Sequence, residues 1–291
     1  MLKRTLTSLV LIPPVIYLIG WSPEWLFTLA VAAAVVLALR EYFALCRAMG
    51  LKVFSWIGYV GAIAICAAQA SRWNGRFYVL LLVVASILVI PTLALRRSTE
   101  LKEYLLAIAV TTFGVLYIGL TLACLIPIRF SPAYVFSDWV TQAGAGRRLD
   151  IGSCFLFLLF LVIWAGDISA YLVGRSVGRV PFFGRISPRK TWEGALAGLL
   201  GSLLAAWAFA HWTWRTPNLL PVMLLAIAIE VAGQVGDLVE SAIKRGANQK
   251  DSGTVLPGHG GILDRIDSLL FGAPTLWLAT SLLVSWPNTM R

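Results

Sequence analysis

The sequence predicts an all-α integral membrane protein, and three observations carry that prediction. Of its 291 residues, 59% are hydrophobic and 13% are charged, whereas soluble domains are usually about 25% charged. Apolar runs of the roughly 20 residues that cross a bilayer core of ~30 Å recur along the chain. The polar segments between these runs are too short to fold as a soluble domain. We therefore expect the bilayer to surround most of the chain.

The apolar runs divide the chain into nine predicted transmembrane helices. The first begins like a signal peptide, but no small-residue cleavage site follows it, so we expect it to remain as a span. We interpret the chain as a single polytopic domain, residues 1–291, in which the spans of 1–127 carry no motif and the spans and loops of 151–286 carry the chemistry. The predicted spans lie near 6–21, 23–45, 53–70, 77–95, 104–127, 151–174, 191–213, 218–243 and 266–286.

The distribution of positive charge predicts the orientation of these spans. Seventeen lysines and arginines fall at the N-terminus and in the loops on its side of the membrane, against seven on the other side. Cytoplasmic loops are the ones enriched in lysine and arginine, so we expect a cytoplasmic N-terminus in the inner membrane. The net charge of +10 then reflects orientation and anionic lipid or phosphate ligands, and we expect no nucleic-acid binding.

Carboxylates inside two of the predicted spans are candidates for function. Asp167 lies in the sixth span and Asp237 in the eighth, where an unpaired charge costs about 3 kcal/mol or more. Steps of three and four residues place the polar residues of each span on one helical stripe. The alternative interpretation is a structural polar seam between helices. The stripes are Asp167, Tyr171, Gly174 and Arg175 in the sixth span, and Glu230, Gly233, Asp237, Glu240, Ser241 and Lys244 in the eighth.

The loop after the sixth span is strongly basic and suits phosphate binding. We expect Ser187 and Pro188 to be the N-cap and first residue of the next helix, so that free backbone amides also face an anion there. Positive-inside orientation alone is the competing explanation for these charges. A P-loop is excluded because Arg189 replaces its second glycine. The cations of this loop are Arg175, Arg179, Arg185, Arg189 and Lys190.

The loop after the eighth span mixes signs, which orientation alone does not require. Asp264 and Asp267 are three residues apart and share a face at the start of the ninth span. Together with Asp237 they suit a hard divalent cation such as Mg²⁺ that shares phosphate oxygens. Lysines and arginines of the loop would hold the remaining phosphate charge. Glycines would let backbone amides approach an anion. For His259 we favour a positioning or structural role. The remaining residues are Lys244, Arg245, Lys250, Asp251, Gly258, Gly260, Gly261 and Arg265.

The segment SAIKRGANQKDSGTVLPGHGGILDRIDS, residues 241 to 268 and hereafter the signature segment, resembles the signature of the phosphatidate cytidylyltransferase family, the CDP-diacylglycerol synthases. The segments GDISAYLVGRSVGR and SPRKTWEG are similar to a second block of that family. The resemblance covers roughly the C-terminal 130 residues. The matching signature positions are Ser241, Lys244, Arg245, Lys250, Asp251, Pro257, His259, Gly260, Gly261, Asp264, Arg265 and Asp267.

The resemblance implies that CTP and the membrane lipid phosphatidate react to give CDP-diacylglycerol and pyrophosphate at the cytoplasmic face. It implies catalytic roles for Asp237, Lys244, Asp264 and Asp267, with the three aspartates holding Mg²⁺ and allowing K⁺ to share the centre. It also implies a homodimer. Whether the basic loop binds the nucleotide or the lipid headgroup is left open. The substrate-binding residues it implies are Arg175, Arg189, Lys190, Ser241, Arg245, Lys250, Asp251, His259, Gly260, Gly261 and Arg265.

Three other functions fit parts of the pattern. A CTP-dependent polyprenol kinase needs similar phosphate chemistry but releases CDP in place of pyrophosphate. A transporter would place its acids near the bilayer midplane, whereas the acids here cluster towards one face. A CDP-alcohol phosphotransferase is disfavoured because its DG-x-x-AR run is not found in the sequence.

Overall fold

A computed structural model describes residues 2–70, 75–95, 100–130, 150–214, 219–255 and 260–285. The described residues are mostly helical, with two π-helical segments at Val115–Leu120 and Ala210–Trp214 and one short pair of strands. The helices are α1 (Leu2–Gly20), α2 (Glu24–Ala48), α3 (Ser55–Ala70), α4 (Gly75–Ala94), α5 (Leu101–Gly114), α6 (Thr121–Ala123), α7 (Leu125–Phe130), α8 (Ile151–Val177), α9 (Trp192–Phe209), α10 (Leu220–Gly246) and α11 (Leu263–Ser285). The strands are β1 (Pro181–Phe183) and β2 (Ser187–Thr191).

Several of the helices have the length and composition of membrane spans. Large apolar side chains such as Leu105, Leu204 and Trp212 are 67–74% exposed, which suits contact with lipid. The predicted class, a helical multi-pass membrane protein, is confirmed, while nine spans and a cytoplasmic N-terminus stay predictions. Within the described residues, five helical stretches are long and apolar enough to cross a bilayer: Glu24–Ala48, Glu103–Phe130, Ile151–Val177, Trp192–Trp214 and Leu220–Gly246.

One compact unit comprises Met1–Pro127 and Ala242–Ile266. Its core lies where α2, α3 and the first π-helical segment meet, around the fully buried Phe43. The ring of Phe43 meets that of Tyr59 edge-on, with 5.7 Å between ring centroids. The hydroxyl of Tyr42 donates a hydrogen bond of 3.1 Å to the carbonyl of Val110. This packing fixes the C-terminal half of α2, which carries Glu41.

The other compact unit comprises Ile128–Ser241 and Asp267–Arg291. Its helices α8 and α9 approach closely through small residues, because a methyl group added at Gly194 would lie 3.2 Å from the Cα of Gly174. Helix α8 begins at an N-cap, Asp150, whose carboxylate accepts a 2.8 Å hydrogen bond from the amide of Ser153. Small residues at such an interface let two helix backbones approach closely.

The basic loop between α8 and α9 folds as a β-hairpin that the sequence analysis did not predict. Strands β1 and β2 are antiparallel, with Pro181 opposite Thr191. The expectation that Ser187 and Pro188 begin the next helix was wrong, because both lie in β2 and the N-cap is Thr191. The Thr191 hydroxyl accepts a 3.2 Å hydrogen bond from the amide of Gly194. A proline is tolerated in such a strand because an edge position needs no amide hydrogen.

Candidate active site

Asp264, in the first turn of α11, is held by donors from the signature segment. Its Oδ1 atom accepts a 2.7 Å hydrogen bond from the Nζ atom of Lys244. Its Oδ2 atom accepts bonds of 2.9 Å from the amide and from the hydroxyl of Ser252, and one of 2.8 Å from the amide of Gly261. The side chains of Lys244 and Asp264 are only 12% and 9% exposed. A charge pair with this many additional donors is both fixed in orientation and well compensated for its burial.

The backbone of the signature segment adopts the left-handed conformation at two residues, and these turns allow the contacts with Asp264. Asn248, with φ of 54°, lies just after α10, where asparagine is one of the residues that end helices in this conformation. Gly260, with φ of 79°, turns the chain into α11. A methyl group on Gly260 would also lie 2.8 Å from Oδ2 of Asp264. Glycine is therefore required at 260 by both the backbone angle and the space.

A buried carboxylate from α2 completes this cluster. Glu41 is 4% exposed, and its Oε1 atom accepts a 3.0 Å hydrogen bond from the amide of Ile262. Its Oε2 atom accepts a 2.8 Å bond from the amide of Leu263 and lies 3.0 Å from the hydroxyl of Ser252. Glu41 was not among the predicted site residues, although it is an acid within an apolar span, as Asp167 is.

In the other unit, Asp237 of α10 is paired with a cation from the hairpin. Lys190 of β2 forms an ion pair with the Oδ2 atom of Asp237, and the two side chains are 29% and 30% exposed. The hydroxyl of Ser241, one turn further along α10, lies 3.3 Å from Oδ1 of the same carboxylate. The structure thus brings together three predicted site residues, because the side chain of Lys190 reaches from the hairpin to α10.

Further acids lie within electrostatic range of Asp267, which is half-buried near the start of α11. The charges of Asp237, Glu240 and Asp167 act electrostatically on the Asp267 carboxylate. Helix α11 approaches α10 closely here, since a methyl group on Gly236 would lie 2.6 Å from the carbonyl oxygen of Asp267. We call Asp167, Asp237, Glu240 and Asp267 the acidic group. A concentration of negative charge of this kind attracts cations.

Glu230, by contrast, fits the structural interpretation of the polar stripe. Its side chain is 3% exposed and accepts hydrogen bonds of 2.7 Å from the Ser202 hydroxyl and 2.9 Å from the side-chain amide of Gln234. Gln234 in turn donates a 3.0 Å bond to the carbonyl of Ala195. Glu230 therefore belongs to a buried hydrogen-bond network joining α9 and α10, whereas Asp237 on the same stripe is reachable from outside.

The remaining predicted ligand-binding residues lie at the surface. Arg175 donates a 2.8 Å hydrogen bond to the hydroxyl of Tyr171 on the same helix. Arg245 donates a 3.1 Å bond to the carbonyl of Gln249. His259 lies outside the described residues. An exposed lysine or arginine can form charge-assisted hydrogen bonds with a phosphate ligand. The exposed members are Arg175, Arg189, Arg245, Lys250, Asp251 and Arg265.

The donor chemistry of both clusters fits a hard cation. In the part of the chain that the structure describes, no three histidine, cysteine, aspartate or glutamate residues are gathered as a ready set of metal ligands. Asp237 and Asp264 each face a lysine ammonium group instead. Carboxylate oxygens are the ligands that Mg²⁺ prefers, so the acidic group and Asp264 have suitable chemistry. The joint Mg²⁺ site of Asp237, Asp264 and Asp267 stays a prediction.

Comparison with known proteins places the chain in a family. The family model described as "Cytidylyltransferase family" matches residues 2–283. A phosphatidate cytidylyltransferase of Synechocystis sp. is 31% identical over 281 residues, covering 91% of this chain and 92% of the relative. One from Staphylococcus haemolyticus is 32% identical over 279 residues, covering 94% and 96%.

A plant relative is longer than this chain. Phosphatidate cytidylyltransferase 5, chloroplastic, of Arabidopsis thaliana is 33% identical over 260 residues, which are 85% of this chain but 64% of the relative. The matched region thus spans just under two thirds of that relative's length. The family match, in contrast, extends over nearly all of the chain and includes α2, the hairpin and the signature segment. The chain therefore belongs to the cytidylyltransferase family.

Proposed function

We propose that this protein is a phosphatidate cytidylyltransferase, which transfers CMP from CTP to phosphatidate and releases pyrophosphate. The observation that carries the proposal is the Lys244–Asp264 pair, fixed by amides of the signature segment beside further exposed cations. The names of the relatives from Synechocystis sp. and Staphylococcus haemolyticus support the same activity.

The reaction sets demands that these residues meet. A phosphate oxygen of phosphatidate attacks the α-phosphorus of CTP, a new P–O bond forms, and the bond to the pyrophosphate oxygen breaks. The protein needs no covalent nucleophile, because its task is to position the phosphates and balance their charge. In this proposal Lys244, Arg245 and Arg265 contact the triphosphate. Asp264 orients the ammonium group of Lys244 for that contact.

The acids and the hairpin have complementary roles in this proposal. Asp237, Asp264 and Asp267 would hold Mg²⁺, with K⁺ as a second cation, and the metal would neutralise phosphate charge when bound. Arg175, Arg189 and Lys190 would bind either the nucleotide or the lipid headgroup. The remaining assigned residues would line the nucleotide site: Ser241, Lys250, Asp251, His259, Gly260 and Gly261. The inner membrane, a cytoplasmic site and a homodimer belong to the same proposal.

The experiment that tests this function follows both products. The purified chain in lipid nanodiscs that contain both phosphatidate and a polyprenol is given CTP labelled in the cytidine ring, with Mg²⁺. We expect label in the lipid fraction and an equal amount of pyrophosphate. Release of CDP with a phosphorylated polyprenol would indicate the kinase alternative instead. Absence of both labelled lipid and pyrophosphate would reject the proposed function.

A further inference from the structure

We infer that Glu41 is a positioning residue of this active site, supplied by an N-terminal helix that carries no recognisable motif. It orients Asp264 indirectly, by holding Ser252 and the first residues of α11. The inference rests on the proposed function for its catalytic consequence. The contacts themselves lie within one compact unit and involve atoms from α2, the signature segment and α11.

Glu41 accepts hydrogen bonds from the first backbone amides of α11. The first amides of any helix lack partners within that helix. Here the amides of Ile262 and Leu263 donate to the two oxygens of Glu41 at 3.0 and 2.8 Å. A carboxylate at this end also interacts favourably with the helix dipole. Glu41 therefore fixes where α11 begins, and Asp264 is the next residue along the chain.

Ser252 links the carboxylates of Glu41 and Asp264. Its hydroxyl oxygen lies 3.0 Å from Oε2 of Glu41 and 2.9 Å from Oδ2 of Asp264. A hydroxyl group has one hydrogen to donate, so the two acceptors share it. The amide of Ser252 also donates to Asp264, at 2.9 Å. A displacement of Glu41 would therefore move Ser252, whose amide and hydroxyl groups orient the Asp264 carboxylate.

The backbone of the signature segment passes close to the Glu41 carboxyl group at two glycines. A methyl group added at Gly253 would lie 2.6 Å from Oε1 of Glu41, and one added at Gly261 would lie 2.7 Å from its Cδ atom. Such distances are not tolerated without movement of the backbone or of Glu41. Two glycines of the segment thus leave room for this side chain, in agreement with the hydrogen bonds.

The main test is Glu41→Gln in the full-length protein. A glutamine offers one acceptor and one donor where two acceptor oxygens are required, so an NH₂ group must face an amide hydrogen. We expect hydrogen exchange at Ser252, Ile262 and Leu263 to accelerate. We expect kcat for CDP-lipid formation to fall about 10-fold to 100-fold, as is common for residues that orient site ligands. KM for CTP should change less than kcat.

The matched control is Glu103→Gln. It makes the same chemical change in the same unit, but Glu103 pairs with Lys52 at 2.6 Å, and the side chains of Lys52 and Glu103 are 52% and 42% exposed. Its effect on kcat and on exchange at Ser252 should be negligible, because exposed ion pairs contribute little. An equal loss of kcat in both variants would overturn the inference, since the loss would then reflect a general effect of removing a carboxylate.

A second variant, Ser252→Ala, separates positioning from stability. It removes the hydroxyl that Glu41 and Asp264 share and keeps the amides of Ile262 and Leu263 that bond to Glu41. If Glu41→Gln does not fold, this variant tests the positioning role in its place. We expect a lower kcat from Ser252→Ala. We also expect the loss of kcat in the double variant to be smaller than the product of the two single losses, because part of the effect of Glu41 passes through Ser252. A Ser252→Ala variant with wild-type kcat, or a multiplicative loss in the double variant, would overturn the inference.

The exchange measurement also separates this inference from the proposed function. If the wild-type protein forms no CDP-lipid, the proposed function fails. Faster exchange at Ile262 and Leu263 in Glu41→Gln would still support the contact of Glu41 with α11. If exchange at these amides is unchanged in a folded Glu41→Gln protein, the positioning role is rejected whatever the activity.

Discussion

Lys190 of the β-hairpin forms an ion pair with Asp237 of α10. The pair joins the most basic loop of the protein to an acid that lies in a predicted membrane span. Because both side chains are partly exposed, a ligand can reach either of them. An anionic ligand would compete for Lys190 and a metal ion for Asp237, so binding of phosphate and binding of metal are expected to favour each other at this pair.

The first prediction concerns Lys190→Met. Because the ion pair is partly exposed, its removal should change the free energy of unfolding by no more than about 1 kcal/mol. Activity should fall at least about 10-fold, since a cation to which the proposed function assigns phosphate binding is lost. Thermal unfolding in detergent and initial rates of pyrophosphate release measure the two effects. Arg185→Gln, at the exposed tip of the hairpin, is the control and should leave both nearly unchanged.

The second prediction concerns Asp264→Asn. The variant leaves the ammonium group of Lys244 without its carboxylate in a site that is about 10% exposed, and losing one partner of a buried pair costs about 3–5 kcal/mol. We expect a lower Tm, correct membrane insertion and a loss of turnover of about 100-fold or more. Turnover near the wild-type rate would remove Asp264 from the site.

The third prediction tests the backbone at Gly260. Gly260→Ala forces a side chain into a left-handed conformation and against Oδ2 of Asp264, so we expect a loss of stability above about 1 kcal/mol and a reduced kcat. Gly184→Ala is the matched control, because a methyl group there would meet the Cβ atom of Pro181 at an ordinary 3.5 Å. Equal behaviour of the two variants in unfolding and rate measurements would contradict the assigned geometry.

The fourth prediction separates Glu230 from the acids to which the proposed function assigns a role in the reaction. Glu230→Ala leaves Ser202 and Gln234 without the acceptor that they share, which should lower the free energy of unfolding by about 1–3 kcal/mol. The specific activity of the folded fraction should stay close to that of the wild type, because this network is buried away from the exposed cations. A loss of kcat without a loss of stability would assign Glu230 to the reaction.

Sequence patterns predicted the local parts of this structure well. The signature segment singled out both Asp264 and Lys244 as site residues, although their direct pairing was not predicted. The periodicity of α8 and α10 also placed Asp167 and Asp237 on polar stripes. These predictions rest on spacing within a helix or a loop, which the sequence encodes directly.

One missed feature depends on a contact between distant parts of the chain, and the others on strands too short to show a pattern. Glu41 is 211 residues from Ser252 in the chain, so helical periodicity carries no information about their meeting. The β-hairpin was missed because its first strand has three residues and begins with proline, which falls below the length at which alternation is informative. The N-cap at Thr191 follows from that hairpin and was therefore misplaced together with it.

The long separation between Glu41 and its partners has a consequence for biogenesis. A chain is synthesised from its N-terminus, so α2 leaves the ribosome well before Ile262 and Leu263 exist. During that interval the carboxylate has none of the amides that later surround it, and an acid at membrane depth costs about 3 kcal/mol. Ribosome-stalled chains ending before residue 252 should therefore hold α2 less firmly in the bilayer than the finished protein does. Arrival of the last helix completes the environment of one of the earliest.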